Sequence, residues 1–304
     1  MMGKILITGG TVFVSRCFAE WFVRRGDEVY VLNRNTRQQV EGVNLIKADR
    51  HDLGDQLKGI CFDAVIDVNA YNADDVKELH RALGIFGQYI LISSSAVYPD
   101  NGRQPFTEET PVGPNAVWKQ YGTDKIAAEQ TIAGLVPEAY IIRPPYLYGP
   151  MNNLYREAFV FDCARAGRTF YLPGNGEMKL QFYHVRDLCR LTEKVICRKP
   201  DTHIFNAGNP RSVSVREWVG KCYACLGRTP EFAYVYHEPE QRKYFSFYDY
   251  EYYLDVRKQT AICPETTDLD DGLHESAEWY FAHEADIIKR PYTEYIDQVI
   301  RSRL

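Results

Sequence analysis

The sequence predicts an α/β protein: a Rossmann-like, doubly wound parallel sheet with a smaller C-terminal α/β lobe. Three observations carry that prediction. Short apolar runs alternate with segments of helical periodicity over the first half of the chain, the pattern of a parallel sheet clothed by helices. The first run ends in Thr8-Gly9-Gly10 and opens at once onto an amphipathic segment, as in a dinucleotide-binding unit. Later runs close on small or polar residues, at the strand ends where such sheets gather ligands.

Taken in order, residues 4–7 form the first strand, about 13–25 the first helix and 28–32 the second strand. Residues 44–47 make a third strand, followed by Ala48-Asp49-Arg50-His51-Asp52 and a short helix. A strand at 62–68, a helix over roughly 74–83 and a strand at 88–93 come next, the last running into Ser93-Ser94-Ser95-Ala96-Val97-Tyr98-Pro99. A long helix begins near Trp118-Lys119-Gln120-Tyr121 and continues through Ile132, and 139–142 is a further strand, closing in Arg143-Pro144-Pro145. Beyond Pro150 a smaller lobe is expected. It has helices at 154–165, from His184 to Val195, at 213–226 and at 269–283, with Pro173-Gly174-Asn175-Gly176 as a turn and Phe205 on a returning strand. The expected division is 1–165 for the dinucleotide domain, with 182–208 returning to it, and 166–304 for most of the substrate lobe. The aromatic run 244–253 suits packing between lobes better than stacking on a sugar or base.

Composition narrows the classes. The 304 residues are 45% hydrophobic and 25% charged, and the formal charge of −5 supplies no overall basic surface for nucleic acid. No apolar run approaches membrane-spanning length, and no secretory h-region is expected ahead of the first strand. Eight scattered cysteines show no disulfide spacing, so a reducing cytoplasm is expected, and Cys222-x-x-Cys225 lies in an apolar-periodic segment that reads as helix packing rather than metal binding.

The glycine turn is incomplete. A full G-x-x-G-x-x-G pattern would place glycine at 9, 12 and 15, whereas this chain has Gly9, Val12 and Ser15. Val12 narrows the backbone's approach to phosphate, while Ser15 is small enough to keep the helix near the sheet. The second strand ends in Asn33-Arg34, without the acid that holds an adenine ribose. Arg34 there reads either as a ligand for a ribose 2′-phosphate, favouring NADP with NAD as the alternative, or as a solvated loop charge. Tyr121 and Lys125 are four residues apart and share a helix face, where an ammonium favours the phenolate of a general base.

Together these pieces resemble an extended short-chain dehydrogenase/reductase of the NAD-dependent epimerase/dehydratase type. The resemblance rests on Thr8-Gly9-Gly10, Ser93 to Tyr98, Tyr121-x-x-x-Lys125, Arg143-Pro144 to Pro150, Leu172 to Gly176, Gln181 to Asp187, Phe205 to Gly208 and Ser214 to Trp218, in order along nearly the whole chain. The Gly-Gly-Thr-x-Phe start and the Asn-Arg strand ending are similar to an atypical branch that includes chloroplast stem-loop-binding proteins. The resemblance implies Ser94, Tyr121 and Lys125 as the catalytic set. Ser94 would align the reacting hydroxyl, Tyr121 serve as acid/base, and Lys125 lower its pKa and hold the nicotinamide ribose. Cofactor contacts are expected from Gly9, Gly10, Thr11, Phe13 and Val14 at the first turn, and from Asn33 and Arg34 after the second strand. Asp49 and Arg50 after the third strand, and Ser93, Tyr121, Lys125 and Pro144, complete that set. The family's dehydratases carry Asp-Glu where this chain has Ser95-Ala96, which disfavours elimination of water, and Ala96 replaces the cysteine of certain epimerising reductases.

An epimerase or reductase acting on a nucleotide sugar or similar small molecule is therefore expected. The rivals are an RNA-binding protein on the same fold, disfavoured by net acidity, and a silent cofactor sensor, disfavoured by the complete catalytic set. Relatives pair through the tyrosine helix, so a homodimer through an outer set of Ile126, Ala127 and Ile132 is a further expectation. The short connection between Val68 and Gln88 weakens it.

Overall fold

The computed structural model describes residues 3–303. The chain divides into two compact units: residues 1–147, 185–208 and 254–266 form the first, and residues 148–184, 209–253 and 267–304 the second. The first unit thus ends at Leu147 rather than near 165, and it regains a segment, 254–266, that carries no strand signal. Leu254 nevertheless bridges to Phe106 in parallel fashion, which fastens that segment to the unit.

The first unit is built on β1 (Lys4–Thr8), α1 (Phe13–Arg25), β2 (Glu28–Asn33), β3 (Asn44–Lys47), β4 (Phe62–Asp67), α2 (Ala73–Ala82), β5 (Phe86–Ile92), α3 (Lys119–Leu135) and β6 (Tyr140–Arg143). With Ile204–Asn206 they make a seven-stranded sheet in the order 204–206, β6, β5, β4, β1, β2, β3. Its ladders are parallel, for example Ile7 beside Val31 on one side and Ile66 on the other. The central strands are continuous apolar runs because both faces are covered. Leu6, Val65 and Leu91 join Val76 and Leu79 of α2 and Ala128 and Ile132 of α3 in one core cluster. Right-handed crossovers put α1 on the opposite face, since β2 and β5 lie on opposite sides of the β1–β4 pair.

Helix α1 packs on the helix Val185–Arg198 in a parallel ladder. Cys17 meets Cys189 at 3.5 Å, Trp21 donates to Glu193 at 2.9 Å and Arg25 reaches Cys197 at 3.6 Å. Gly26 ends α1 in the left-handed region, its N–H returning to Phe22 and Val23. Three local expectations change. Residues 50–59 form turns rather than a short helix; His184 ends the strand Phe182–His184, with the helix starting at Val185; and the helix expected from 154 begins at Glu157.

The second unit contains the antiparallel pair Lys179–Leu180 with Val213–Ser214 and the parallel pair Phe170–Pro173 with Phe232–Val235. Its core is aromatic. Phe182 stacks on Trp218 at 5.5 Å, and Phe247 meets both rings edge-on. Phe245 meets Phe170 at 6.2 Å, so Phe245 and Phe247 of the run 244–253 belong to this unit's own core. Cys222 is buried on the helix Val215–Ala224, and among the described residues no cluster of His, Cys, Asp or Glu has a metal-binding arrangement. No helix among them is long and apolar enough to cross a membrane.

Candidate active site

The site is assembled at the carboxyl edge of the first unit's sheet, where β1, β4 and β5 end side by side. The turn after β1 is fixed by two bonds to β2: Gly9 N–H donates to Leu32 O at 2.9 Å, and Asn33 Nδ2 to Gly9 O at 2.7 Å. Gly10 has φ +90°, and a Cβ there would lie 2.5 Å from Val31 Cγ1, so side chains are excluded on two counts. Val12 precedes α1 in extended conformation without a side-chain cap, leaving the first helical N–H groups open to an anion. Phe13 opens the helix at φ +37° with its side chain buried, a strained conformation at the turn.

Lys125 is the pivot of the site. It is only 3% exposed, and its Nζ donates to Ala70 O at 2.7 Å, just past β4, and to Ile92 O at 3.2 Å, at the end of β5. An ammonium has three donors, so one is left without a hydrogen-bond partner among the described residues. The Tyr71 ring centroid lies 5.4 Å from Nζ. Burial lowers the lysine pKa to about 8, against the opposing pull of Asp67, Glu129 and Asp75, while Arg50 adds to the lowering. One turn earlier, Tyr121 is 41% exposed. Helix α3 can lie this close because Gly122 faces Ala96, where a Cβ would come within 2.6 Å of the Ala96 carbonyl oxygen. Ser94 stands at the same edge, half-buried and extended, its Oγ accepting from Ala96 N–H at 3.2 Å.

Two buried polar networks hold this edge. In the first, Asp67 accepts from Thr8 Oγ1 at 2.8 Å, from Tyr89 at 2.6 Å and from both ends of the Arg50 fork at 3.1 and 3.0 Å. Arg50 also donates to Asn69 Oδ1 at 2.8 Å and to Asp75 O at 2.7 Å. Burial and the Asp67 charge push the Tyr89 phenol well above its ordinary pKa. In the second, Glu129 takes Arg143 in a fork at 3.0 and 2.6 Å and accepts from Ser93 Oγ at 2.5 Å. Arg143 donates onward to Tyr98 at 2.9 Å, and Tyr98 to Asn206 at 2.6 Å. Burial raises the Tyr98 pKa to about 12 despite Arg143, so the phenol stays protonated as a donor.

Residues 62–208 match the NAD dependent epimerase/dehydratase family. The chain is 30% identical over 300 residues to the chloroplast stem-loop binding protein of 41 kDa b from Arabidopsis thaliana, covering 90% of this chain and 78% of that one. The chain belongs to the NAD-dependent epimerase/dehydratase family. A Streptomyces dTDP-4-dehydro-6-deoxy-D-allose reductase is 22% identical over 333 residues, covering 92% of this chain and 96% of the reductase. Among solved structures, the Bordetella bronchiseptica enzyme WbmG in complex with NAD superposes with TM-score 0.77 at 17% identity, over 95% of this chain and 97% of WbmG. UDP-glucose 4-epimerase from Thermotoga maritima, solved with UDP-glucose, gives 0.73 at 18% identity over 92% and 99%. The shared fold is the Rossmann-like one expected from the sequence.

Within this family member, the residues expected at the site fall into four groups. Gly9, Gly10 and Thr11 lie on the turn after β1, Val14 in the first turn of α1, Asn33 at the β2 end, and Ser94, Tyr121 and Lys125 along the β5–α3 edge. Arg34 and Asp49 are exposed just past β2 and β3, and Asp49 accepts from His51 N–H at 3.0 Å. Arg50 and Ser93 are engaged in the two buried networks, through both Nη atoms of Arg50 and the Ser93 hydroxyl, while Arg50 Nε stands 3.6 Å from Asp75; these contacts neutralise the charge that Asp67 and Glu129 bring inside. Phe13 is buried, and Pro144 is buried with its carbonyl accepting from Ser95 N–H at 2.9 Å. Ile132 points into the core rather than outward, which removes it from any outer apolar set. Asp67, Asn69, Tyr71 and Glu129 are not singled out by the sequence. Two signals could have found some of them: an acid ending the apolar run Ala64-Val65-Ile66-Asp67, and Glu129 one turn beyond Lys125 on the same face.

Proposed function

We propose that this protein is an NAD(P)-dependent reductase or epimerase acting on a hydroxyl or keto carbon of a nucleotide sugar or similar small molecule. The observation that carries the reading is Lys125, an ammonium buried at the β4–β5 edge with two N–H groups on backbone carbonyls and the third left for a ligand or a phenolate. Tyr121, one turn away and exposed, is the acid/base; Ser94 aligns the reacting oxygen. The cofactor supplies hydride transfer, and the chain's task is to bind, orient and move the proton. Ser95-Ala96 offers no carboxylate for elimination, so dehydration is disfavoured, although a dTDP-glucose 4,6-dehydratase from Streptomyces niveus is 25% identical over 201 residues.

The relatives named above support nucleotide sugars and NAD. Arg34, exposed past β2 without a neighbouring acid at 33–37, supports NADP. Ile126 and Ala127 remain half-exposed for a homodimer, which sedimentation would test. Eight free thiols suit a cytoplasmic setting. The name of the Arabidopsis relative favours a second reading, RNA stem-loop binding, against which the charge of −5 weighs; salt-dependent RNA binding by this chain would support it.

The test pairs NAD and NADP titrations with turnover on a panel of nucleotide sugars. Tyr121→Phe keeps the ring and deletes the oxygen, so turnover is expected to fall by about 10²–10⁴ with cofactor affinity retained. Near-normal turnover in that variant rules Tyr121 out as acid/base. Arg34→Ala with unchanged NADP affinity rules out the phosphate role of Arg34.

A further inference from the structure

Asn69 follows β4 directly beneath the glycine turn, and three of its groups have different fates. Its backbone N–H donates to Thr8 Oγ1 at 3.3 Å. Its Oδ1 accepts from Arg50 Nη1 at 2.8 Å. Its Nδ2 has no protein partner among the described residues, and it lies 3.9 Å from the point a Cβ on Gly9 would occupy. Arg50 has only donors, so the amide orientation is not arbitrary: oxygen must face the guanidinium and the NH₂ must face the turn. The Arg50 fork is itself held, by Asp67 and by the Asp75 carbonyl.

We propose that Asn69 is a cofactor-binding residue, its Nδ2 donating to a pyrophosphate oxygen of the dinucleotide at the Gly9–Gly10 turn, with Arg50 as the positioning residue that aims it. The inference rests on the functional reading above and adds to it a side-chain donor beside the backbone. It also moves Arg50, expected to touch the cofactor directly, to a supporting role behind Asn69. The donor compensates for Val12, which offers the phosphate less backbone access than glycine would.

Asn69→Asp separates this role from a structural one. The carboxylate keeps the bond to Arg50 and strengthens it, but it replaces the donor with a negative charge facing phosphate. Asn69→Ala removes donor and acceptor together. With melting curves confirming folded protein, NAD and NADP affinities measured by calorimetry are expected to fall about tenfold in the alanine variant and further in the aspartate variant, as loss of a hydrogen bond to a charged group and then repulsion require. Affinity within twofold of wild type in both, or equal loss in both, overturns the assignment while leaving the functional reading intact. Wild-type protein that binds neither dinucleotide overturns both. Independently of any variant, the Asn69 side-chain amide signals in a ¹⁵N NMR titration of the intact chain are expected to move when dinucleotide is added; signals that stay fixed at saturation refute the contact.

Discussion

Gly122→Ala is the most direct test of how the site is built. A methyl group at this position would lie 2.6 Å from the Ala96 carbonyl oxygen, whereas ordinary contact begins at 3.4 Å, so helix and loop must separate by 3.4 − 2.6 = 0.8 Å. The obstacle is backbone, which has no rotamer to turn aside. Overpacking of this kind costs about 3 kcal/mol at the upper end of its range. Replacing a mid-helix glycine by alanine returns about 1 kcal/mol of backbone entropy, leaving a net loss of about 2 kcal/mol. Gly134, on the same helix, meets nothing within 4 Å, so Gly134→Ala keeps the gain without the clash. Denaturant unfolding of the two variants is expected to move in opposite directions, Gly122→Ala down and Gly134→Ala up. Displacing Tyr121 and Lys125 by most of an ångström is expected to cost about 10²-fold in turnover as well. A Gly122→Ala protein as stable as wild type would show that α3 does not press on the Ser94–Val97 loop as described, and the site's geometry would have to be redrawn.

Three further outcomes follow from the buried charges. The Lys125 pKa of about 8 lies below the ordinary 10.5, so its ammonium is lost as pH rises through 8 and kcat/KM is expected to decline above that pH; a pH–rate profile flat to pH 10 contradicts this. The sign for stability is the reverse: the folded state gives up this proton before the unfolded state does, so the penalty is full below pH 8 and eases between 8 and 10.5, a rise that Lys125→Met is expected to abolish in unfolding measurements. Glu129→Gln leaves the Arg143 guanidinium, 4% exposed, without its buried counter-charge, and is expected to cost about 3–5 kcal/mol in denaturant unfolding; a loss below about 1 kcal/mol refutes the claim that this pair anchors the edge.

The sheet is legible in the sequence because its signals are local. Apolar runs closed by Thr8-Gly9-Gly10 and by Ser93-Ser94 mark strand ends whatever else the chain does, and Tyr121 and Lys125 share a helix face by periodicity alone. The turns at 50–59 carry a false helical signal because Leu53 and Leu57 have helical spacing; both side chains are buried in the core cluster, and packing rather than helical hydrogen bonds holds them. Ile132 carries no sequence mark of which side it faces, since α3 is apolar on more than one side.

The order of strands and helices, the glycine turn and the identity of the candidate acid/base are all written in the linear chain. Where the charged side chains end is settled only once the chain has folded. Arg50 lies 17 residues from Asp67 and Glu129 lies 36 from Ser93, and nothing in either neighbourhood states that they meet. Burial forces the pairing: a lone charge removed from water is costly, so each buried group takes the nearest partner the fold supplies. That requirement turned Arg50 and Ser93 inward, left one donor on Lys125, and aimed Asn69 at the turn.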